Sequence, residues 1–464
     1  MPGWAQAMPA PPGAPGPPGG ARRRLVLGAR PVRPGTPAEP QRQSQARRIP
    51  VDVTVQTSTQ RKLNNLGFLL MLLLPLVTWY VTIAVRHYDA ALVLPDAAFV
   101  AHVAPPSVAT VIFYLAWLAF QIALAVFLPG RIEHGVPLSD GRRLPYRLNG
   151  LLAFGLTLLL AAVLVWDDVV PATFVYDQVD ALVTTTNLLV LLLCLFIYAL
   201  GRRQATPKER LLNPLEAYVV GAALNPRSGS LDWKFFCESR PGMILWVLID
   251  LSFAGAQLAK HGQLSHGMTL VCAFQVLYVA DYFVHEEAIL TTWDIRHEPF
   301  GFMLGWGSLV WVPFMFSLQA LYLVDHPTPL PAPAVVGIVV LNMAGYAIFR
   351  GANLQKHKFR KRSDYAIWGK PAEYIQTDRG TKLLVSGFWG VARHANYLGD
   401  LMMGLAWCLT TGFARVLPYF YFIYFVILLV HRERRDNDHC ARKYGNQWSE
   451  YTSRVRWRIL PGLY

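Results

Sequence analysis

The sequence lacks most of the devices a soluble catalytic domain relies on. Acidic residues number 29 against 43 lysines and arginines, and charges of both signs occupy only 16% of 464 positions. The five cysteines, Cys194, Cys237, Cys272, Cys408 and Cys440, lie far apart without a C-x-x-C, so neither a zinc ribbon nor a disulfide framework is indicated. No G-x-G-x-x-G follows a strand, which leaves a Rossmann site unsupported, and the absence of G-x-x-x-x-G-K-[ST] excludes a P-loop. His285-Glu286-Glu287 is not H-E-x-x-H, and the 12 histidines lack the clustered pairs of a membrane di-iron enzyme. No metal is expected.

What the chain has in quantity is apolar length. Apolar residues make up 53% of the sequence, mean hydropathy is +0.30, and runs of about 20 apolar residues recur, the length a helix needs to cross a bilayer. A soluble fold is excluded. The expected class is an all-α, polytopic integral membrane protein of about ten transmembrane helices, near 67–85, 109–128, 147–166, 182–200, 243–259, 267–284, 301–323, 333–350, 397–412 and 416–431. The net charge of +14 sits mostly in loops on alternate sides, which is the positive-inside bias and implies no nucleic-acid partner. Arg131, Arg142, Arg143 and Arg147, then Arg202, Arg203, Lys208 and Arg210, then Arg350 to Arg362, then Arg432, Arg434 and Arg435 fall on one side. Asp167, Asp168 and Asp325 fall on the other, with Arg86, Lys260 and Arg415 as exceptions. Both termini are therefore expected in the cytosol. Residues 1–60 are rich in Pro, Gly and Arg and cannot bury enough apolar surface to order themselves, so a disordered cytosolic tail is expected ahead of a membrane domain over 61–464. A transit peptide or an anionic-lipid contact around Arg22, Arg23 and Arg24 is the alternative.

Residues 350–400 break the rhythm of span and short loop: they are too polar to span, yet rich in aromatics. Here and just beyond, Lys356 and Arg360, Asn396 and Asp400, and Arg432 and Asp436 are each four apart, one helix face per pair if the segments are helical. Ordinary surface pairs would each contribute a few tenths of a kcal/mol. Three pairs beside Trp389, Tyr397 and Tyr444 read better as a pocket, mainly within 350–464, where cations meet an anionic cofactor and aromatics flank its rings.

Longer motifs carry a family resemblance. LLVSGFWGVARHANYLGD at Leu383–Asp400, then LMMGLAWCL and LPYFYFIYFVILLVHRERRDNDHCARKYGNQWSEY, resemble the sterol C-14/C-7 reductase family. So do HEEAILTTWDI, FGFMLGWG, VWVPF, GYAIFRGANLQKHKFRK, NPRSGSLDWKFF and SRPGMILW. HEEAILTT and the FRGANxQK block resemble Δ14-sterol reductases and the lamin B receptor's reductase domain. GFWGVARH-x-NY and LPGLY resemble Δ7 (7-dehydrocholesterol) reductases. One departure is Gly307-Ser308, where the family usually has G-D before VW.

The resemblance implies a ten-span fold with a C-terminal NADPH pocket open to the cytosol and a lipid-accessible sterol cavity. It implies cofactor contacts at Lys356, Arg360, Trp389, Asn396, Asp400, Arg432, Asp436 and Tyr444. Reduction of C14=C15 is the expected reaction, with C7=C8 as the alternative. A sterol alkene is not electrophilic, so a proton must arrive before the hydride, from an acid in a water-poor cavity. The expected donor is Tyr278, tuned or relayed by Asp281, Glu286 or Glu287; His394 is a second candidate acid. The expected partners are sterol, NADPH and membrane lipid, in the endoplasmic reticulum of a eukaryote or the inner membrane of a bacterium. Oligomeric state carries no signal. Two rivals stay open, a scaffold of the lamin B receptor type and a methyltransferase, because the last third is distantly similar to isoprenylcysteine carboxyl methyltransferases. The cofactor of the latter lacks phosphates, which would leave Lys356, Arg360 and Arg432 unexplained.

Overall fold

A computed structural model describes residues 58–138, 141–207, 209–362 and 364–464. The expected tail lies outside the described residues except for its last positions, which open a helix at Ser58. All ten expected apolar runs fall on helices. Seven are long and apolar enough to cross a membrane: α1 (Asn64–His87), α2 (Val108–Phe127), α4 (Val179–Gln204), α5 (Trp233–His261), α6 (His266–Val284), α7 (Phe302–Asp325) and α8 (Ala332–Lys361). Between them, α3 (Gly150–Trp166) is apolar but has only 17 residues. After them, α9 (Ala395–Leu409) has 15 residues, and α10 (Phe420–Tyr444) is apolar only in its first half. The protein is thus a polytopic helical membrane protein in which three of the ten expected spans are short or mixed in character. Among the described residues, the β-strands pair only as two-stranded antiparallel hairpins such as Arg131–His134 with Pro145–Leu148, beside one isolated parallel bridge between Ala392 and Trp457.

Local chemistry sets the helix ends. Ser107 and Thr110 form a reciprocal capping box at the start of α2, each side chain accepting from the other's backbone N–H at 3.1 Å. Ser265 caps α6 through the Met268 N–H. Gly262, at φ +71°, ends α5 in the left-handed conformation that only glycine adopts at no cost.

Burial orders the helices into an axis and a rim. Every residue in the most apolar window of α7 is buried, against 22% for α2, so α7 is the centre of the bundle and α2 faces lipid. Because lipid is as apolar as leucine, helices in a membrane associate through close packing and interhelical hydrogen bonds. Three tryptophans supply such bonds. Trp246 Nε1 donates to Gln275 at 3.0 Å, Trp306 Nε1 to Asn187 at 2.8 Å, and Trp407 Nε1 to Asn342 at 3.1 Å, each tying two helices. Within α7, residues Gly307–Trp311 form a π turn that includes Ser308. All five cysteines are buried and free.

Candidate functional site

The three spaced pairs each lie on one helix: Lys356 and Arg360 on α8, Asn396 and Asp400 on α9, Arg432 and Asp436 on α10. What brings the first two helices together is a pair of glycines. A Cβ on Gly399 would stand 2.5 Å from the Gly345 carbonyl oxygen, and one on Gly345 would stand 2.7 Å from that of Gly399, so α8 and α9 touch backbone to backbone. From that contact the polar ends of both helices run side by side. Asn396 Nδ2 donates to Asn353 Oδ1 at 3.2 Å. Trp389, on a short helix (Phe388–Val391), donates through Nε1 to the Ala352 carbonyl at 2.7 Å.

The Trp389 ring is thereby held flat against α8, and Lys356 Nζ lies 3.8 Å from its centroid. Lys356 is within electrostatic range of Asp436 and Arg360, and Arg360 of Asp436, Tyr444 and Arg296. Burial pushes the Asp436 carboxyl up, and Lys356 opposes that shift. His394 stacks on Tyr397 at 4.7 Å and sits 3.7 Å from Asp436. Burial, then Lys356, Arg393 and Arg458, push its imidazole down to about 3, so it is neutral near pH 7 and is poorly suited to be a strong acid. Tyr444 is buried, stacks on Trp448 and accepts from Thr381 at 3.5 Å. Arg432 lies within electrostatic range of Asp436 and Tyr397 and pairs with Asp294 at 2.9 Å, while Arg435 reaches Glu298 at 3.1 Å, and the two ion pairs fasten residues 294–298 to α10.

Deeper in the bundle the floor is aromatic. Tyr278 is 6% exposed and lies among Trp407 (5.3 Å between centroids), Trp246 (6.1 Å) and Phe349 (6.4 Å). Its hydroxyl meets the Asp400 carboxyl, while Asp400 Oδ1 and the hydroxyl of Tyr421, another neighbour of Asp400, are buried without a geometrically good hydrogen bond. A buried polar atom without a partner costs about 1–3 kcal/mol. Several of them around one point, with His394 Nδ1 and the Tyr397 hydroxyl nearby in the same state, mark a place built for something else to bond.

Two expected neighbours of Tyr278 are engaged elsewhere. Asp281 is three residues on and turns toward α8, where it pairs with Arg350 and accepts from Tyr346 Oη at 2.9 Å. Glu286 lies past the end of α6 in a closed ion pair: it meets Arg240 at 2.8 Å and accepts from the Gly150 N–H at 2.9 Å. Burial raises the Glu286 carboxyl, against Arg240 and that N–H. Glu287 pairs with Arg131 at 2.5 Å, which lowers it. The carboxylate facing Tyr278 is therefore Asp400, contributed by a helix 122 positions away in the chain. Sequence spacing gave no sign of that, nor of the Arg432–Asp294 pair. Asn353 was within reach, since it shares a face of α8 with Lys356.

Fold and site together define a helical membrane protein with a cationic and aromatic cluster where α8, α9 and α10 meet and, deeper along the same helices, a buried phenol and carboxyl. The profile of the Ergosterol biosynthesis ERG4/ERG24 family matches residues 72–464, and the chain belongs to that family. It is 49% identical over 400 residues to a Delta(14)-sterol reductase of Methylotuvimicrobium alcaliphilum, covering 85% of this chain and 94% of the relative. It is 42% identical over 402 residues to a mouse Delta(14)-sterol reductase, covering 85% and 95%. It is 40% identical over 428 residues to a Xenopus laevis 7-dehydrocholesterol reductase, covering 84% and 90%.

Proposed function

We propose that this protein reduces a sterol ring double bond with NADPH, and that the bond is C14=C15. The observation that carries the reading is the buried Tyr278 hydroxyl set against the buried Asp400 carboxyl among aromatic rings, beside Lys356 and Arg360, which form no close ion pair among the described residues. NADPH, when bound, supplies the hydride. Lys356 and Arg360 hold its phosphates, Trp389 and Tyr444 flank it, and Asn396 positions it beside Asn353. Arg432 acts indirectly, by fixing residues 294–298 as a wall. Asp436 keeps Lys356 and Arg360 oriented.

Tyr278 gives its proton to the alkene from the chamber's apolar side, and Asp400 holds the phenol in line and accepts its hydrogen bond. The aromatic walls exclude water, so the cationic carbon formed by protonation meets hydride before it meets solvent. The pocket opens to the cytosol and both termini lie there. The membrane is the endoplasmic reticulum in a eukaryote or the inner membrane in a bacterium. The names of the more similar relatives support C14=C15; the likeness to a 7-dehydrocholesterol reductase keeps C7=C8 as the second reading.

The experiment is turnover of purified protein in detergent with NADPH and a Δ14 or Δ7 sterol, products identified by mass spectrometry. Tyr278→Phe keeps the ring and its packing and should lose about 10²–10⁴-fold in kcat with NADPH affinity preserved. Near-normal turnover would move the proton donor elsewhere. Failure of the wild type on both sterols would overturn the reading itself.

A further inference from the structure

Where the chain passes from α2 to α3 it borders a cavity of about 220 Å³ that the reductase chemistry leaves unused. Ala125 and Val126, in the last turn of α2, give the cavity an apolar side. Arg147, three residues ahead of α3, lines it together with Arg227, Arg240 and the carboxylate of Asp232. Two of the three guanidinium groups are already spoken for. Arg240 pairs with Glu286 at 2.8 Å, and Arg227 pairs with Asp232 at 3.0 Å and donates to the Pro145 carbonyl at 2.7 Å. Arg147 forms no ion pair among the described residues; its Nη1 donates to the Leu128 carbonyl at 3.2 Å, just past the end of α2. Three cations against two carboxylates leave the cavity one positive charge in excess. A guanidinium carries five N–H donors, so the half-buried Arg147 keeps most of its own for an acceptor with several oxygens.

We propose that this cavity binds the phosphodiester headgroup of an anionic membrane phospholipid, with Arg147 as its principal contact and Ala125 and Val126 beneath the start of the acyl chains. Nothing in it depends on the sterol chemistry; it requires that α2 meets lipid, and α2 is a helix whose flank faces outward. Charge selects the kind of headgroup. A phosphodiester brings one negative charge and matches the one in excess, whereas a zwitterionic headgroup also brings an ammonium, for which the cavity has no free carboxylate. Lining selects the source. A free phosphate would satisfy the guanidinium but has no use for Ala125, Val126 and the exposed Ile132 around it, while the glycerol and first methylenes of a lipid cover them. Bound there, the headgroup touches the end of α2, the hairpin of Arg131–His134 with Pro145–Leu148, and the hairpin of Arg227–Ser228 with Leu231–Asp232. It ties these segments together beside the Arg240–Glu286 pair, and by mass action it stabilises the folded protein.

The test titrates the full-length protein in a neutral detergent with phosphatidylglycerol, phosphatidylcholine or inorganic phosphate. Tm is the readout, and native mass spectrometry counts the lipids that stay bound. Phosphatidylglycerol should raise Tm by several degrees and persist as an adduct, while phosphatidylcholine and inorganic phosphate at equal concentration do neither. Arg147→Gln should weaken phosphatidylglycerol binding about tenfold, the scale of one charged hydrogen bond, with Arg147→Lys in between. Ser230 lies at an exposed turn on the edge of the cavity, so Ser230→Glu sets a carboxylate there without breaking the fold and should abolish the shift. That variant carries the test if Arg147→Gln folds poorly. Equal shifts from phosphatidylglycerol and phosphatidylcholine, an equal shift from inorganic phosphate, or a shift that Arg147→Gln and Ser230→Glu both retain would each overturn the site. Sterol turnover enters none of these measurements, so failure here and failure of the reductase reading are separate results.

Discussion

Two groups of cations, one buried and one half-buried, stand at the same end of the bundle and are completed in opposite ways. Arg240 is saturated: it binds Glu286, the Asn149 side chain and the Arg147 carbonyl, and Glu286 takes the Gly150 N–H besides. Lys356 and Arg360 are left open, with an aromatic face, a half-shared aspartate and each other for company. The contrast separates a latch from a receptor. A saturated buried ion pair fixes where three chain segments meet, whereas cations held apart from carboxylates keep their free energy of pairing for a ligand.

That contrast can be broken at either end. The largest effect is expected at the latch: Arg240→Met strands a buried carboxylate and should cost about 3–5 kcal/mol of stability, read as a fall in Tm in detergent. Adding Glu286→Leu should recover most of it, and an Arg240→Met protein that melts like the wild type would show that the latch holds nothing. At the open cluster the signs reverse. Lys356→Ala should leave Tm nearly unchanged and weaken NADPH binding by about 1–3 kcal/mol with little change for NADH, measured by titration of the purified protein. Equal losses for both cofactors would falsify a contact with the 2′-phosphate, the one group that NADH lacks.

The smallest effect at neutral pH is one that grows only as pH falls. Folding holds His394 at about 3, below its ordinary 6.5, so the unfolded chain takes up a proton that the folded protein refuses. The stability that His394 contributes is present above pH 6.5 and lost as pH falls from there toward 3, at up to about 1.4 kcal/mol per pH unit. His394→Gln should flatten the Tm-against-pH curve between pH 6 and 4; a curve parallel to wild type would mean that the slope originates elsewhere.

Much of the architecture could be read from periodicity alone. Apolar runs placed the helices, and the four-residue spacing of Lys356 and Arg360, Asn396 and Asp400, and Arg432 and Asp436 put each pair on one face because all three segments are helical. Contacts between distant segments were not legible. Spacing suggested Asp281 and Glu286 for Tyr278 because they are close along the chain, but a helix sends position 281 toward α8, and position 286 lies beyond the helix end beside Arg240. Asp400 looked like one half of a polar pair, and only the packing of α9 against α6 and α8 turns it toward the phenol. Span number was the other weak point, since length and hydropathy cannot separate a short apolar helix such as α3 from a full crossing.

The glycine contact between α8 and α9 also decides which walls of the pocket can move. Main chain against main chain has no rotamers to exchange and almost no slack to slide, so Lys356, Asn353, Trp389 and Asn396 travel as one rigid jamb. Residues 294–298 are held differently: two ion pairs to α10, Arg432–Asp294 and the more exposed Arg435–Glu298, and the buried Lys234 of α5, whose Nζ donates to the Asp294, Ile295 and Glu298 carbonyl oxygens at 2.9 Å each. Salt screens the exposed one of those ion pairs and leaves the buried ammonium and the glycine contact untouched, so ionic strength acts on a single fastening of this segment and not on the frame around it.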